Sequence, residues 1–246
     1  MSTKLKIAAA VAAAVLLSAC SSPKHEPMPL VNFTPSMEVT EVWSKGLSSA
    51  EGFLVPAVYD DMVFAAGGKT LTRLNARTGE TEWSVSFDSP ITGGVGSDGY
   101  VTAVGLWDGN LEVVDAEGKV SWEKKLTTEL ASPPVVSHGL VIARTMDTRV
   151  SAFEASSGEL QWTYQKSQPA LTVRLPTRML AHDNFLLVGQ PNGHIVILDI
   201  ASGKPVFEFQ VAQAKGVTEV ERLVDVVGAP AFSENLVCAA AFQGAV

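Results

Sequence analysis

The sequence has 246 residues, and its 26 Asp and Glu outnumber its 18 Lys and Arg, so the formal net charge is −8 at pH 7. An acidic chain argues against nucleic-acid binding and against an electrostatic grip on anionic lipid. The four histidines are scattered along the chain without metal-ligand spacing, so we expect no metal site.

The amino-terminal segment, residues 1–19, has the three parts of a secretory signal peptide. Lys4 and Lys6 supply positive charge, and Ile7–Leu17 is an uninterrupted apolar run, too short to span a membrane as a mature helix. The segment ends in Leu-Ser-Ala-Cys, the bacterial lipobox. We therefore expect lipidation of the Cys20 sulfur, with acyl chains that anchor the protein to a membrane. The alternative is an ordinary cleavage site with an incidental cysteine.

The segment after the lipobox, residues 20–37, is rich in Pro and Ser and predicts a flexible tether. The residue after the cysteine is Ser21 and not an Asp. In Gram-negative lipoproteins this favours sorting to the outer membrane. Acylation of Cys20 leaves Cys238 without a partner, which excludes a disulfide framework.

The remainder of the chain, residues 38–246, repeats itself. Four segments, LNARTGETEW, VDAEGKVSW, FEASSGELQW and LDIASGKPVF, share a glycine that is followed four residues later by an aromatic ring. The glycines are Gly79, Gly118, Gly158 and Gly203, and the aromatic residues are Trp83, Trp122, Trp162 and Phe207. A period of about 40 residues with short strands predicts an all-β β-propeller of four-stranded blades. We expect the glycines to adopt positive φ in hairpins and the aromatic residues to pack between neighbouring blades.

The predicted blades cover about 51–88, 89–127, 131–166, 175–211 and, incompletely, 228–246. Upstream of them, VTEVW at Val39–Trp43 is similar to GETEW and predicts one more outer strand, with Trp43 as its inter-blade aromatic residue. The fifth unit contains only two strands. The sequence therefore predicts about four and a half blades, the amino-terminal part of a larger ring.

The repeat A-x-x-G-x-x-x-W, as in LNARTGETEW, resembles the quinoprotein-type β-propeller repeat. With the lipobox and the tether segment PLVNFTP, the whole chain resembles the BamB family of outer-membrane lipoproteins. The resemblance implies an eight-bladed propeller on the periplasmic side of the outer membrane, without cofactor or catalytic residues. It also implies binding to the POTRA domains of BamA, the central subunit of the β-barrel assembly machinery, and assistance in the folding and insertion of outer membrane proteins.

Two segments of this family carry the BamA contact, and both have counterparts in this chain. An L-x-L-R segment is matched in LTVRLP and an R-L-x-D-x-D segment in RLVDVV, which implies contacts by Leu171, Val173, Arg174, Arg222, Leu223 and Asp225. Val173 replaces a leucine of the family pattern, which is a mild change. Val227 replaces its second aspartate, and this removes a charged contact or a structural hydrogen bond.

The spacing of the blades independently points to the same segments. The connection from an outer-strand aromatic residue to the next blade's proline is seven residues after Trp83 and eleven after Trp122, but fourteen after Trp162 and twenty-three after Phe207. Loops longer than a repeat requires are often functional. Because the two long connections occupy equivalent positions in adjacent blades, we expect them to lie side by side on one face.

Two other functions remain as alternatives. A quinoprotein dehydrogenase shares this repeat, but such enzymes resemble one another in a vicinal cysteine pair and a calcium-bound quinone. Here Cys20 and Cys238 are far apart. The glycine-rich stretch GGVG at 93–96 could suggest a phosphate-binding loop, but no helix follows it, so a strand or a turn is the better interpretation. The second alternative is a propeller that binds unfolded outer membrane proteins by strand pairing at its edges, which is compatible with a scaffold role.

Overall fold

A computed structural model describes residues 30–32, 34–48, 52–167, 169, 171–173, 175, 177–233 and 236–243. The predicted signal peptide, Cys20 and Arg174 lie outside the described residues. Met1–Thr40 and Glu41–Val246 form two separate compact units. The described residues of the first unit carry no helix or strand.

The second unit is built from antiparallel sheets in chain order. Strand β1 (Phe53–Leu54) precedes sheet 1, which has the order β2-β3-β4-β5. Its strands are Ala57–Tyr59, Met62–Gly67, Thr70–Asn75 and Thr81–Ser86. Each strand lies beside the next in sequence because short turns join them, as expected for a blade.

The next three sheets repeat this order. Sheet 2 contains β6 (Ile91–Ser97), β7 (Thr102–Leu106), β8 (Asn110–Val114) and β9 (Val120–Lys125), with β1 paired in parallel to β6. Sheet 3 contains β10 (Val135–Ser137), β11 (Leu140–Arg144), β12 (Val150–Glu154) and β13 (Leu160–Tyr164). Sheet 4 contains β14 (Leu180–His182), β15 (Phe185–Gln190), β16 (His194–Asp199) and β17 (Pro205–Gln210).

Sheet 5 has two described strands, β18 (Val226–Ser233) and β19 (Leu236–Ala241). The short 3-10 turn Pro191–Gly193 between β15 and β16 is the one helical element in the described part of the chain. No helix there has the length and apolar character to span a membrane.

The core lies between consecutive sheets, because the middle strands are apolar on both faces. In β11, Ile142 packs toward sheet 4, whereas Val141 packs toward sheet 2. In β16, Val196 packs toward sheet 3 and Ile195 toward sheet 5. Burying a Val or Ile side chain stabilises the fold by about 1.5–3 kcal/mol. Sheets stacked face to face in chain order are the arrangement of a propeller, so the predicted fold class is confirmed.

A tryptophan links each of sheets 1, 2 and 3 to the next sheet through its indole nitrogen, and Trp43 binds sheet 1 in the same way. The Nε1–H of Trp83 donates to the Ala116 carbonyl at 3.0 Å, and that of Trp122 donates to the Ala155 carbonyl at 2.8 Å. Trp43 and Trp162 make the same bond, to Ala76 at 2.9 Å and to Ile200 at 2.8 Å. The acceptors lie in the hairpins between the third and fourth strands of sheets 1 to 4.

The repeated glycines complete this contact. Gly79, Gly118, Gly158 and Gly203 have φ between 68° and 83°, the left-handed region that favours glycine. A Cβ atom at Gly118 would lie 2.9 Å from the Trp83 ring, and one at Gly79 would lie 2.6 Å from the Trp43 ring. Each tryptophan therefore covers the hairpin glycine of the following sheet.

Two aromatic residues differ from their predicted surroundings. Residues 38–48 form no strand in the described chain, so the predicted outer strand at Val39–Trp43 is wrong. Trp43 is held there by its side chain, through Ala76 and Gly79, rather than by pairing of its backbone. Phe207 is 60% exposed and lies beside Phe209, so its inter-blade role stays a prediction.

The turns of the sheets alternate between two sides because neighbouring strands run antiparallel. We call one side the connection side (the described residues of 107–109, 145–149, 165–167, 169, 171–173, 175, 177–179, 191–193 and 211–225), since it carries the links between sheets. The other is the hairpin side (residues 76–80, 115–119, 155–159 and 200–204), where the tryptophans are bound.

Candidate functional site

The predicted BamA-contact residues lie in two long connections on the connection side. The first joins β13 to β14 and contains Leu171 and Val173, and the second joins β17 to β18 and contains Arg222, Leu223 and Asp225. The first connection also reaches sheet 5, because Thr177 pairs in parallel with Gly228 and its hydroxyl donates to the Val226 carbonyl at 3.0 Å.

Asp225 holds the two connections together. Its side chain is only 5% exposed. Its Oδ2 accepts a hydrogen bond from the Val173 backbone N–H at 2.6 Å, and its Oδ1 accepts one from the Asn192 backbone N–H at 3.1 Å. One carboxylate therefore joins the first connection, the second connection and the turn between β15 and β16. A buried carboxylate in this position fixes the loops and does not itself face a partner.

Three of the other predicted residues share one surface depression. Leu171, Arg222 and Leu223 line a cavity of about 220 Å³ together with Pro169, Asn192, Ala214 and Glu219. Leu171 is 42% exposed, and Arg222 is exposed at the rim. Apolar side chains beside an exposed cation are the composition of an interface anchor.

A capped turn next to the depression presents two further apolar side chains. The Glu221 Oε2 accepts hydrogen bonds from the backbone N–H groups of Val217 and Thr218, both at 3.0 Å. These bonds, with one from the Thr218 hydroxyl, lower the pKa of the Glu221 carboxyl. Val217 and Val220 are left 95% and 60% exposed. An apolar surface held in a fixed turn is suited to contact with another protein.

Comparison with known proteins shows the family of this chain. A sequence model of the family described as "Outer membrane protein assembly factor BamB" matches residues 67–246. The chain belongs to the BamB family. It is 39% identical over 242 residues to the "Outer membrane protein assembly factor BamB" of Burkholderia pseudomallei (strain K96243), covering 96% of this chain and 64% of that protein.

The fold is also similar to that of a solved BamB structure. The crystal structure of BamB from Moraxella catarrhalis matches with a TM-score of 0.70 at 27% sequence identity, covering 81% of this chain and 62% of that chain. The chain thus spans somewhat less than two thirds of the length of these two BamB proteins. The quinohemoprotein alcohol dehydrogenase ADHIIG from Pseudomonas putida HK5 matches at 17% identity with a TM-score of 0.54, which shows a shared fold alone.

The structure places three residues on the connection side that no sequence pattern singled out, namely Val217, Val220 and Arg144. Val217 and Val220 were overlooked, although Thr218 and Glu221 form the T-x-x-E pattern of a capping box, which signals an ordered turn. Arg144 is the last residue of the apolar strand β11, LVIAR, and no sequence motif singled it out. A charged residue at the end of a buried strand is the signal that could have found it.

Arg144 is buried on the connection side, next to Asp225. It is 6% exposed, and its Nε and Nη1 have no hydrogen-bond partner among the described residues. Burial lowers the pKa of Arg144 to about 10, and the Asp225 carboxylate offsets part of that effect. The guanidinium is therefore charged at neutral pH.

The described residues offer no cluster for metal binding, since no three His, Cys, Asp or Glu side chains come together among them. Cys238 is a free, exposed cysteine. The glycines at 93–96 lie within β6, so that stretch is a strand.

Proposed function

We propose that this chain is a non-catalytic scaffold lipoprotein of the outer membrane β-barrel assembly machinery. In this proposal residues 1–19 are a signal peptide, Cys20 carries the lipid anchor, and residues 20–37 tether the propeller to the periplasmic face of the outer membrane. The connection side binds the POTRA domains of BamA and so assists the folding and insertion of outer membrane proteins. Membership of the BamB family supports the assembly role.

The observation that carries the proposal is the bond between the two predicted contact segments. Residues 173 and 225 are 52 positions apart in sequence, yet the Asp225 carboxylate accepts the Val173 N–H at 2.6 Å. The family's two contact motifs therefore form a single surface. Leu171 and Leu223 supply its apolar part, and Arg222 supplies positive charge at its rim.

Arg174 and Asp225 enter this proposal in different ways. Arg174 directly follows Val173 in the L-x-L-R segment and stays a predicted contact with a carboxylate of the partner. Asp225 is proposed to act through the loops that it fixes, because both of its oxygens accept backbone N–H groups.

Co-purification with BamA tests the proposal. We expect Leu171→Asp to reduce the BamA that co-purifies from detergent-solubilised membranes by about thirtyfold, since losing an apolar anchor weakens an interface by about 2 kcal/mol. The matched control is Leu160→Asp, because Leu160 is comparably exposed (54% against 42%) and lies at the hairpin end of β13. The control should retain BamA.

Charge reversal gives a second pair for the same test. Arg222→Glu should reduce BamA recovery, whereas Lys119→Glu should not, because Lys119 is exposed on the hairpin side. If the Leu171 and Arg222 variants both keep BamA at the level of the unmodified chain, the connection side does not bind it and the proposal is wrong.

A further inference from the structure

A second cavity lies behind the two long connections and is distinct from the depression at Leu171. Its volume is about 240 Å³. Arg144, Thr148, Gln190 and Asp225 provide polar groups in its wall, and Val173 and Leu175 provide apolar ones. It is large enough for a side chain or a small organic acid, but not for a drug-sized cofactor.

Three side chains in this wall carry donors that have no acceptor. The Nε and Nη1 of Arg144, the Nε2 of Gln190 and the Oγ1 of Thr148 are buried without a hydrogen-bond partner among the described residues. Arg144, Gln190 and Thr148 are 6%, 3% and 7% exposed. Buried polar groups in folded proteins are almost always hydrogen-bonded, so three unsatisfied groups in one cavity indicate a missing acceptor.

The backbone at Thr148 gives an independent indication. Thr148 has φ of 64°, a conformation that is unfavourable for a β-branched residue. The corresponding turns of sheets 2 and 4 have Gly109 and Gly193 at this position, with φ of 83° and 72°. A threonine that replaces glycine there adds strain and leaves its hydroxyl unpaired, and strain of this kind concentrates at functional sites.

Arg144 itself is also unfavourable for the fold. A buried guanidinium without a hydrogen-bonded partner destabilises a protein unless a ligand or an ion pair satisfies it. Asp225 lies close enough to act on Arg144 electrostatically, but no hydrogen bond joins it to the Nε or Nη1 of Arg144. These two guanidinium donors are therefore free for another group.

We propose that this cavity binds a carboxylate, with the Arg144 guanidinium as the main donor and Thr148 and Gln190 as supporting donors. A planar guanidinium matches a carboxylate with two parallel hydrogen bonds. A carboxylate fits better than a phosphate, because the Asp225 carboxylate in the same wall repels a dianion more strongly than a monoanion. This site goes beyond the proposed binding of BamA and does not depend on it.

The test uses small probes and the purified chain, with no BamA present. Acetate should raise the melting temperature at constant ionic strength, with a dissociation constant of about millimolar. The neutral isostere acetamide should not raise it, and inorganic phosphate should raise it less. Equal stabilisation by phosphate would overturn the assignment to carboxylates.

The variant Arg144→Met separates a ligand site from a structural arginine. Methionine is close to arginine in length and removes the guanidinium donors, so this variant should lose at least about tenfold in acetate affinity. The control Arg77→Met removes an exposed arginine on the hairpin side and should bind acetate unchanged. Unchanged acetate binding by Arg144→Met would overturn the proposal.

Two peptides distinguish the sources of the carboxylate. Acetyl-Gly-Asp-Gly-amide carries it on a side chain, and acetyl-Gly-Gly-Gly carries it at the carboxyl terminus. Binding of either one, with loss of that binding in Arg144→Met, supports the site and identifies the source. If acetate binds but neither peptide does, the site accepts free small acids instead.

Discussion

At the scale of single residues, the repeated glycines meet two demands at once. Gly158 has φ of 70°, and a Cβ atom there would lie 2.7 Å from Cδ2 of Trp122. Gly139 has the same φ of 70°, but a Cβ atom there would meet nothing within 4 Å. The two positions therefore separate the cost of the backbone conformation from the cost of displacing a tryptophan.

We expect Gly158→Ala to lower the free energy of unfolding by more than Gly139→Ala. Both substitutions incur about 1–2 kcal/mol for an alanine in the left-handed region. Gly158→Ala incurs a further 1–3 kcal/mol, roughly, because the Trp122 ring must move away from its hydrogen bond to Ala155. Urea titrations of the two variants measure the difference. Equal losses would show that the tryptophan contact adds nothing.

At the scale of elements, one cross-strand pair differs between otherwise similar sheets. In sheet 1, the hydroxyls of Thr72 and Ser84 are hydrogen-bonded at 3.1 Å, and sheet 3 has a hydroxyl pair at the corresponding position. In sheet 2 the position holds Glu112 opposite Glu123. Burial, and then the charge of Glu123, raise the pKa of Glu112 to about 7.

This raised pKa makes the stability depend on pH. Between pH 4.5 and 7 the unfolded chain releases the Glu112 proton and the folded chain keeps it, so stability falls as pH rises through this range. Glu112→Gln should therefore stabilise the chain by up to roughly 3 kcal/mol at pH 8 and have little effect at pH 4.5. Melting curves at both pH values test this, with Glu117→Gln in the same sheet as the control. A stabilisation independent of pH would rule out the proton as its cause.

At the scale of the whole molecule, Asp225 connects parts of the chain that the sheets alone would leave independent. Asp225→Ala should speed hydrogen exchange at the Val173 and Asn192 amides by at least about tenfold, since each loses a charge-assisted hydrogen bond. In the control Asp199→Ala, a carboxylate that accepts the Ser202 N–H within one hairpin is removed. The faster hydrogen exchange caused by Asp199→Ala should be limited to amides of that hairpin. Unchanged exchange at Val173 in Asp225→Ala would contradict the linking role.

The sequence predicted the structural features that repeat along the chain. It did not predict the residues whose role depends on contacts between repeats. Gly79, Gly118 and Gly158 recur at a fixed distance before tryptophan, so the blades and their order followed from spacing alone. Asp225 could be assigned only through a family motif, because its partners Val173 and Asn192 lie 52 and 33 residues away. Arg144 could not be recognised from the sequence, because it ends an apolar strand and the sequence does not show whether a buried charge has a partner.

The bonds from four tryptophans to the hairpins that follow them impose an order on folding. The acceptor lies 33 residues after Trp43, Trp83 and Trp122, and 38 residues after Trp162. A chain that emerges amino end first cannot close one blade until most of the next has appeared. Each blade therefore completes its packing only after about one further blade has been synthesised. The most recently synthesised blade is the one still accessible to chaperones and proteases.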